Sequence, residues 1–134
     1  MDTSQVEYNG QLRTTATHIR SGNTLITDAP VDNHGRGEAF SPTDLLATSL
    51  ASCMMSIMAI AAEGHQFELR RVTADVVKTM SPNPRKVSKV QVDLYFPEGN
   101  YSKKQQEILK RAALSCPVSL SLHPDLEQEV NFKF

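Results

Sequence analysis

Stretches that alternate with a two-residue period and stretches that repeat with a helical one follow each other along the chain, and their order sets the expected fold. From about Val6 to Val31 the residues favour strands. Thr14-Thr15-Ala16-Thr17-His18-Ile19-Arg20 leads into Ser21-Gly22-Asn23 and then Thr24-Leu25-Ile26-Thr27. β-branched runs on either side of such a turn predict a hairpin, and Asn9-Gly10 marks an earlier turn of the same kind. Residues 32–40 are polar and glycine-containing and read as a loop. Ser41-Pro42-Thr43-Asp44 then opens a helix, with Ser41 suited to the N-cap, Pro42 to the first helical position and Asp44 to the acidic position of a capping box. From Leu45 to Ala62 no residue is charged, and Gly64 is placed to end the helix.

Phe67-Glu68-Leu69 and Val72 to Lys78 predict a strand, Ser-Pro-Asn-Pro at 81–84 a turn, and Val87 to Phe96, whose valines alternate with polar residues, a second strand. Ser102 suits the cap of an amphipathic helix with Ile108, Leu109, Ala112 and Ala113 inward. Cys116-Pro117 precedes a short apolar helix, Val118 to Leu122, and Leu126 to Phe134 alternates as a closing strand. Strands, one long helix, two strands, two helices and a strand make an α+β fold rather than a doubly wound one.

The uncharged run reaches the lower limit of a membrane span. Thr48, Ser49, Ser52 and Ser56 dilute it, however, and no aromatic or basic belt brackets it, so it reads as a buried helix and no membrane is expected. The 134 residues suffice for one domain, 1–134, and not for two. A domain of that size has difficulty covering so apolar a helix on every side. A second copy is the natural cover, so a homodimer is expected.

A net charge of −1 removes the electrostatic case for nucleic acid or an anionic membrane surface. Arg70-Arg71 and Lys103-Lys104 are isolated basic pairs on solvated faces. The opening Met1-Asp2-Thr3-Ser4-Gln5 is not a secretory signal, which points to the cytoplasm. His18, His34, His65 and His123 lack metal-ligand spacing, and the glycines at 35 and 37 lack a phosphate-loop context, so neither metal nor cofactor is expected.

Cys53 and Cys116, far apart in sequence, are too few for a secreted disulfide framework. They are either two buried apolar side chains or a redox pair. A thiol peroxidase needs a thiolate, a cation to stabilise it and polarise the O–O bond, and a second thiol to resolve the sulfenic acid. Cys53 lies mid-helix, beyond the first turn where the helix dipole acts. The cation must come from elsewhere, and arginine suits the role because it keeps its charge when partly buried.

Ser41-Pro42-Thr43-Asp44-Leu45-Leu46-Ala47-Thr48-Ser49-Leu50-Ala51-Ser52-Cys53-Met54 resembles the helix that carries the peroxidatic cysteine in OsmC/Ohr proteins. Cys116-Pro117-Val118-Ser119 resembles that family's resolving-cysteine segment, and Thr15-Ala16-Thr17-His18-Ile19-Arg20-Ser21-Gly22 its arginine-bearing hairpin. The three motifs stand in the family's order and cover roughly residues 12–134. The resemblance implies antiparallel sheets packed around a long central helix in an intertwined homodimer, with sites at the interface. It implies reduction of organic hydroperoxides, with Cys53 peroxidatic, Cys116 resolving and Arg20 beside the thiolate, and a thiol reductant such as a lipoylated protein. Met54, Met55, Ile57 and Met58 suit an apolar pocket beside Cys53, and at helical spacing they suit plain core equally well.

One position departs from the resemblance. The hydroperoxide-reducing branches pair their arginine with a glutamate where this chain has Thr43. Asp44 is the nearest carboxylate, but the helix turns through about 900° between it and Cys53, placing the two on nearly opposite sides. Asp44 therefore reads as a cap. Arg36 competes with Arg20 for the cation role, and His34 reads as a solvated loop residue. The rival to the enzyme is a non-catalytic OsmC-like dimer holding a small apolar ligand at the subunit interface. Two structural cysteines in an unrelated α+β interaction module are the third reading.

Overall fold

A computed structural model describes residues 1–134. Its mixed α/β architecture has two three-stranded sheets and one long helix, and the chain divides into two compact units, residues 1–46 and 47–134.

The first unit is an antiparallel sheet of β1 (Ser4–Gly10), β2 (Arg13–His18) and β3 (Thr24–Asp28), in that order. The expected hairpin is present, with Thr17 opposite Thr24 and Arg13 opposite Asp28. Its turn closes through His18 and Asn23, the His18 N–H donating to the Asn23 carbonyl at 2.8 Å. The earlier turn lies just beyond its expected place. β1 runs through Asn9-Gly10, and Gln11 and Leu12 make the turn with φ of 53° and 62°, both left-handed as the primed hairpin turns require. A single 3-10 turn, Val31–Asn33, and a loop follow. Gly35 sits so close to Ala29 that a Cβ on it would fall 1.7 Å from the Ala29 carbonyl oxygen, which leaves room only for glycine.

α1 (Pro42–Gly64) starts as expected. The Asp44 N–H donates to Ser41 Oγ and the Ser41 N–H to Asp44 Oδ2, both at 3.0 Å, so two N–H groups at the helix start are satisfied reciprocally. Its end corrects the glycine expectation. Gly64 stays inside the last turn, and Gln66 takes the left-handed conformation, φ 60°. Phe67 N–H donates to the Ala62 carbonyl and Gln66 N–H to the Glu63 carbonyl, the paired bonds of a Schellman stop. Phe67 and Ala62 both join the core, so the apolar contact that accompanies this stop outweighs the lack of a glycine.

The second unit holds every buried apolar residue of the chain. β4 (Thr73–Ser81) pairs antiparallel with β5 (Lys86–Tyr95), and β5 pairs parallel with β6 (Glu127–Lys133). A parallel pair needs a crossover, supplied here by α2 (Lys103–Leu114) and α3 (Pro117–Ser121). Residues 67–69, expected to begin a strand, lie outside one because Phe67 is spent on the helix stop. Ser102 caps α2 in a full capping box with Gln105. Leu109, Ala112 and Ala113 turn inward, while Ile108 is only half-buried. Val90, Val92 and Leu94 of β5 meet a face of α1 on which burial recurs every three or four residues, at Ala47, Leu50, Ala51, Met54, Met58 and Ala62. The other face of α1 carries Ser49, Ser52, Ser56, Ala59 and Ile60 and is exposed, Ile60 at 64%. α1 is long and apolar enough to cross a membrane by length and composition, but its buried face belongs to a protein core.

Candidate functional site

The crossover that makes β6 parallel returns the chain to α1 at Cys116. A mid-helix residue of α1 and the corner between α2 and α3 thereby meet, and the Cys116 thiol is a hydrogen-bonding neighbour of the Cys53 thiol. Both cysteines are free. Cys53 is half-buried and packs against the core, while Cys116 is fully buried. The two sulfurs thus differ in access, the outer one on the long helix and the inner one behind it.

Cys116 is also the N-cap of α3, with Pro117 at the first helical position. The Ser119 N–H donates to Cys116 Sγ at 3.4 Å, and the Leu120 N–H donates to the Cys116 carbonyl. Burial pushes the Cys116 thiol up from its ordinary value, the Ser119 and Val118 N–H groups pull it down, and the Cys53 sulfur raises it further. The net direction is up, so Cys116 is a neutral thiol at neutral pH and can donate its proton toward its neighbour. Met54 and Met58 are wholly core residues. Met55 and Ile57, half-buried, are the members of the expected apolar cluster left to border open space.

The other expected residues fall in the first unit. Arg20 lies exposed on the β2–β3 turn. Asp44 is engaged in the α1 cap, and the Thr43 hydroxyl is 3.2 Å from that of Ser41. Arg36 binds the side chain of Gln11, and His34 is exposed with a left-handed backbone, φ 67°. The structure therefore brings the two thiols together and gives Asp44 a capping role.

An ion pair that the sequence reading passed over organises this unit. Arg13 donates to both carboxylate oxygens of Asp28, at 2.7 and 2.8 Å, and to Glu38 at 3.3 Å. Asp28 is fully buried and also accepts the Glu38 N–H. Hydrogen bonding to Arg13 holds the Asp28 carboxyl below the usual carboxylate range against the opposing effect of burial. The pairing follows from the register of the β2–β3 hairpin, which is centred on Arg20-Ser21 and so sets Arg13 directly opposite Asp28. Between the start of α1 and one face of the sheet lies an open groove of ≈ 640 Å³, lined by Val6, Ala16, Leu25 and Leu45 among others. No group of three or more His, Cys, Asp or Glu side chains is arranged to hold a metal ion.

Two sheets, a long helix and a cysteine on that helix beside one at a helix corner define a thiol-bearing α+β class. Residues 35–131 match the family described as OsmC-like protein. The chain belongs to the OsmC-like family. A Psychrobacter arcticus 273-4 structure named for an osmotic stress induced and detoxification response protein is 52% identical, with a TM-score of 0.93 over 98% of this chain and 96% of that one. An organic hydroperoxide resistance protein OsmC from Legionella pneumophila shares the fold at 19% identity, TM-score 0.75, over 100% of this chain and 98% of that one. An OsmC-like protein of unknown function from Vibrio cholerae does so at 15% identity, TM-score 0.78, over 98% and 99%. No curated protein sequence matches the chain.

Proposed function

We propose that the protein is a cysteine-dependent peroxidase that reduces organic hydroperoxides as a cytoplasmic homodimer. The observation that carries this reading is the contact between the Cys53 and Cys116 thiols. The Cys53 thiolate attacks the peroxide oxygen. The O–O bond breaks, the alcohol leaves with a proton from solvent, and Cys53 becomes a sulfenic acid. Cys116 then displaces the sulfenic oxygen as water, and an external dithiol, such as a lipoylated protein, reduces the resulting disulfide. Arg20 supplies the cation. Membership of a family that includes hydroperoxide resistance proteins supports the chemistry. The exposed second face of α1 and the apolar groove of the first unit support a second subunit.

Thr43 favours the second reading, a non-catalytic OsmC-like dimer holding a small apolar ligand at the subunit interface. Turnover of cumene hydroperoxide with a dithiol reductant separates the two. The expected result is sustained turnover that Cys53→Ser abolishes and Arg20→Met lowers at least about tenfold, the scale of a lost charge-assisted interaction. Absence of turnover in the reduced wild type favours the ligand-binding reading, and loss in Arg36→Met with Arg20→Met unaffected moves the cation to Arg36.

A further inference from the structure

Burial works against Cys116 in the reaction proposed for it. To attack the Cys53 sulfenic acid its sulfur must surrender a proton and point at the Cys53 sulfur, yet a buried thiol holds its proton more tightly. The larger of the two compensating contacts is the Ser119 N–H on Cys116 Sγ, beside that of the Val118 N–H. It comes from α3, which spans only Pro117–Ser121 and is too short to be stable by itself. What steadies that turn is a reciprocal link to β6. Ser119 Oγ donates to Gln128 Oε1 at 2.6 Å, and Gln128 Nε2 donates to the Ser119 carbonyl at 3.0 Å. Both side chains are half-buried, and Val118 and Leu122 on either side pack on the core.

We infer that Gln128 and Ser119 are positioning residues for the resolving step: their two hydrogen bonds hold the first turn of α3 so that its N–H steadies the Cys116 sulfur facing Cys53. The inference deepens the peroxidase reading and rests on it. The step it governs is the condensation of Cys53–SOH with Cys116–SH. The S–S bond forms, the S–O bond breaks, and the oxygen leaves as water with the thiol proton. Without the link the turn frays, the Cys116 sulfur samples other rotamers, and the sulfenic acid survives long enough for a second hydroperoxide to carry it to sulfinic acid.

The test reads a ratio rather than a rate. Reduced, folded protein is treated with excess cumene hydroperoxide, and Cys53–Cys116 disulfide and Cys53 sulfinic acid are quantified by mass spectrometry. Gln128→Met removes both hydrogen bonds of the link and Ser119→Ala only the one from its hydroxyl, and both leave the residue-119 N–H in place. Gln128→Met is expected to lower the disulfide-to-sulfinate ratio several-fold and Ser119→Ala to lower it less, and the double variant is expected to be no worse than Gln128→Met, because both lose the whole link. Lys89→Ala is the structural control. It removes the ion pairs of Lys89 with Glu127 and Glu129 from the same β5–β6 pair and should leave the ratio unchanged. A wild-type ratio in Gln128→Met, or an equal fall in Lys89→Ala, overturns the inference alone. A wild-type protein whose sulfurs both stay reduced overturns it together with the peroxidase reading.

Discussion

Asp28 shows how one side chain can govern a segment. Its carboxylate takes two hydrogen bonds from Arg13 and one from the Glu38 N–H, and thereby ties strand β2 to the far end of the 29–40 loop. A carboxyl held below its unfolded value contributes stability that is fully present above that value, near 3.9. The contribution is lost as pH falls through the lower folded value. The melting temperature should therefore drop as pH falls below about 4. Asp28→Asn should lower it at pH 7 and flatten its acid dependence, leaving the slope due to Asp93 and Glu129, which are also held low by hydrogen bonds. Superimposable acid slopes for wild type and Asp28→Asn would contradict this. The pairing is absent from the sequence reading because hydrophobic periodicity locates strands but passes over charged residues inside them. Only the hairpin register reveals it.

Among the elements, the boundary least legible in sequence is the end of α1. Gly64 has the composition of a stop, yet the stop forms around Gln66 because it puts Phe67 over Ala62 in the core. Tertiary packing decides the capping position here. Gln66→Gly should relieve a left-handed side-chain residue and raise stability by roughly 1 kcal/mol, measured by urea unfolding with an unchanged slope. A destabilised variant would show that the Gln66 side chain, which donates to the Gly64 carbonyl at 3.2 Å, contributes more than its backbone strain costs. The start of α1 was readable because a capping box is local. So were the β2–β3 hairpin and the box at Ser102. The parallel pairing of β6 with β5 was not, since it joins segments separated by two helices and leaves no periodic signature.

At the scale of the molecule, all the buried apolar residues lie between Ala47 and Cys116, while Val6, Tyr8, Leu25, Ile26 and Ile60 are exposed. The uncharged run Leu45 to Ala62 suggested a helix needing more cover than one chain offers, and α1 indeed leaves a face of small residues and Ile60 open. Sedimentation at micromolar concentration should give a dimer. Ala59→Lys, on the exposed face, should give a folded species of lower mass. A stable wild-type monomer would contradict the assembly. The same long-range folding joins the candidate site. The two cysteines could be singled out in sequence, but their contact depends on the α2–α3 crossover.

Treating the reduced protein with one equivalent of an organic hydroperoxide, followed by mass spectrometry of its thiol peptides, tests the redox pairing most directly. The expected product is an intramolecular Cys53–Cys116 disulfide in wild type, replaced in Cys116→Ser by sulfenic acid or its over-oxidised forms on Cys53. Two reduced sulfurs after exposure to excess hydroperoxide would contradict it.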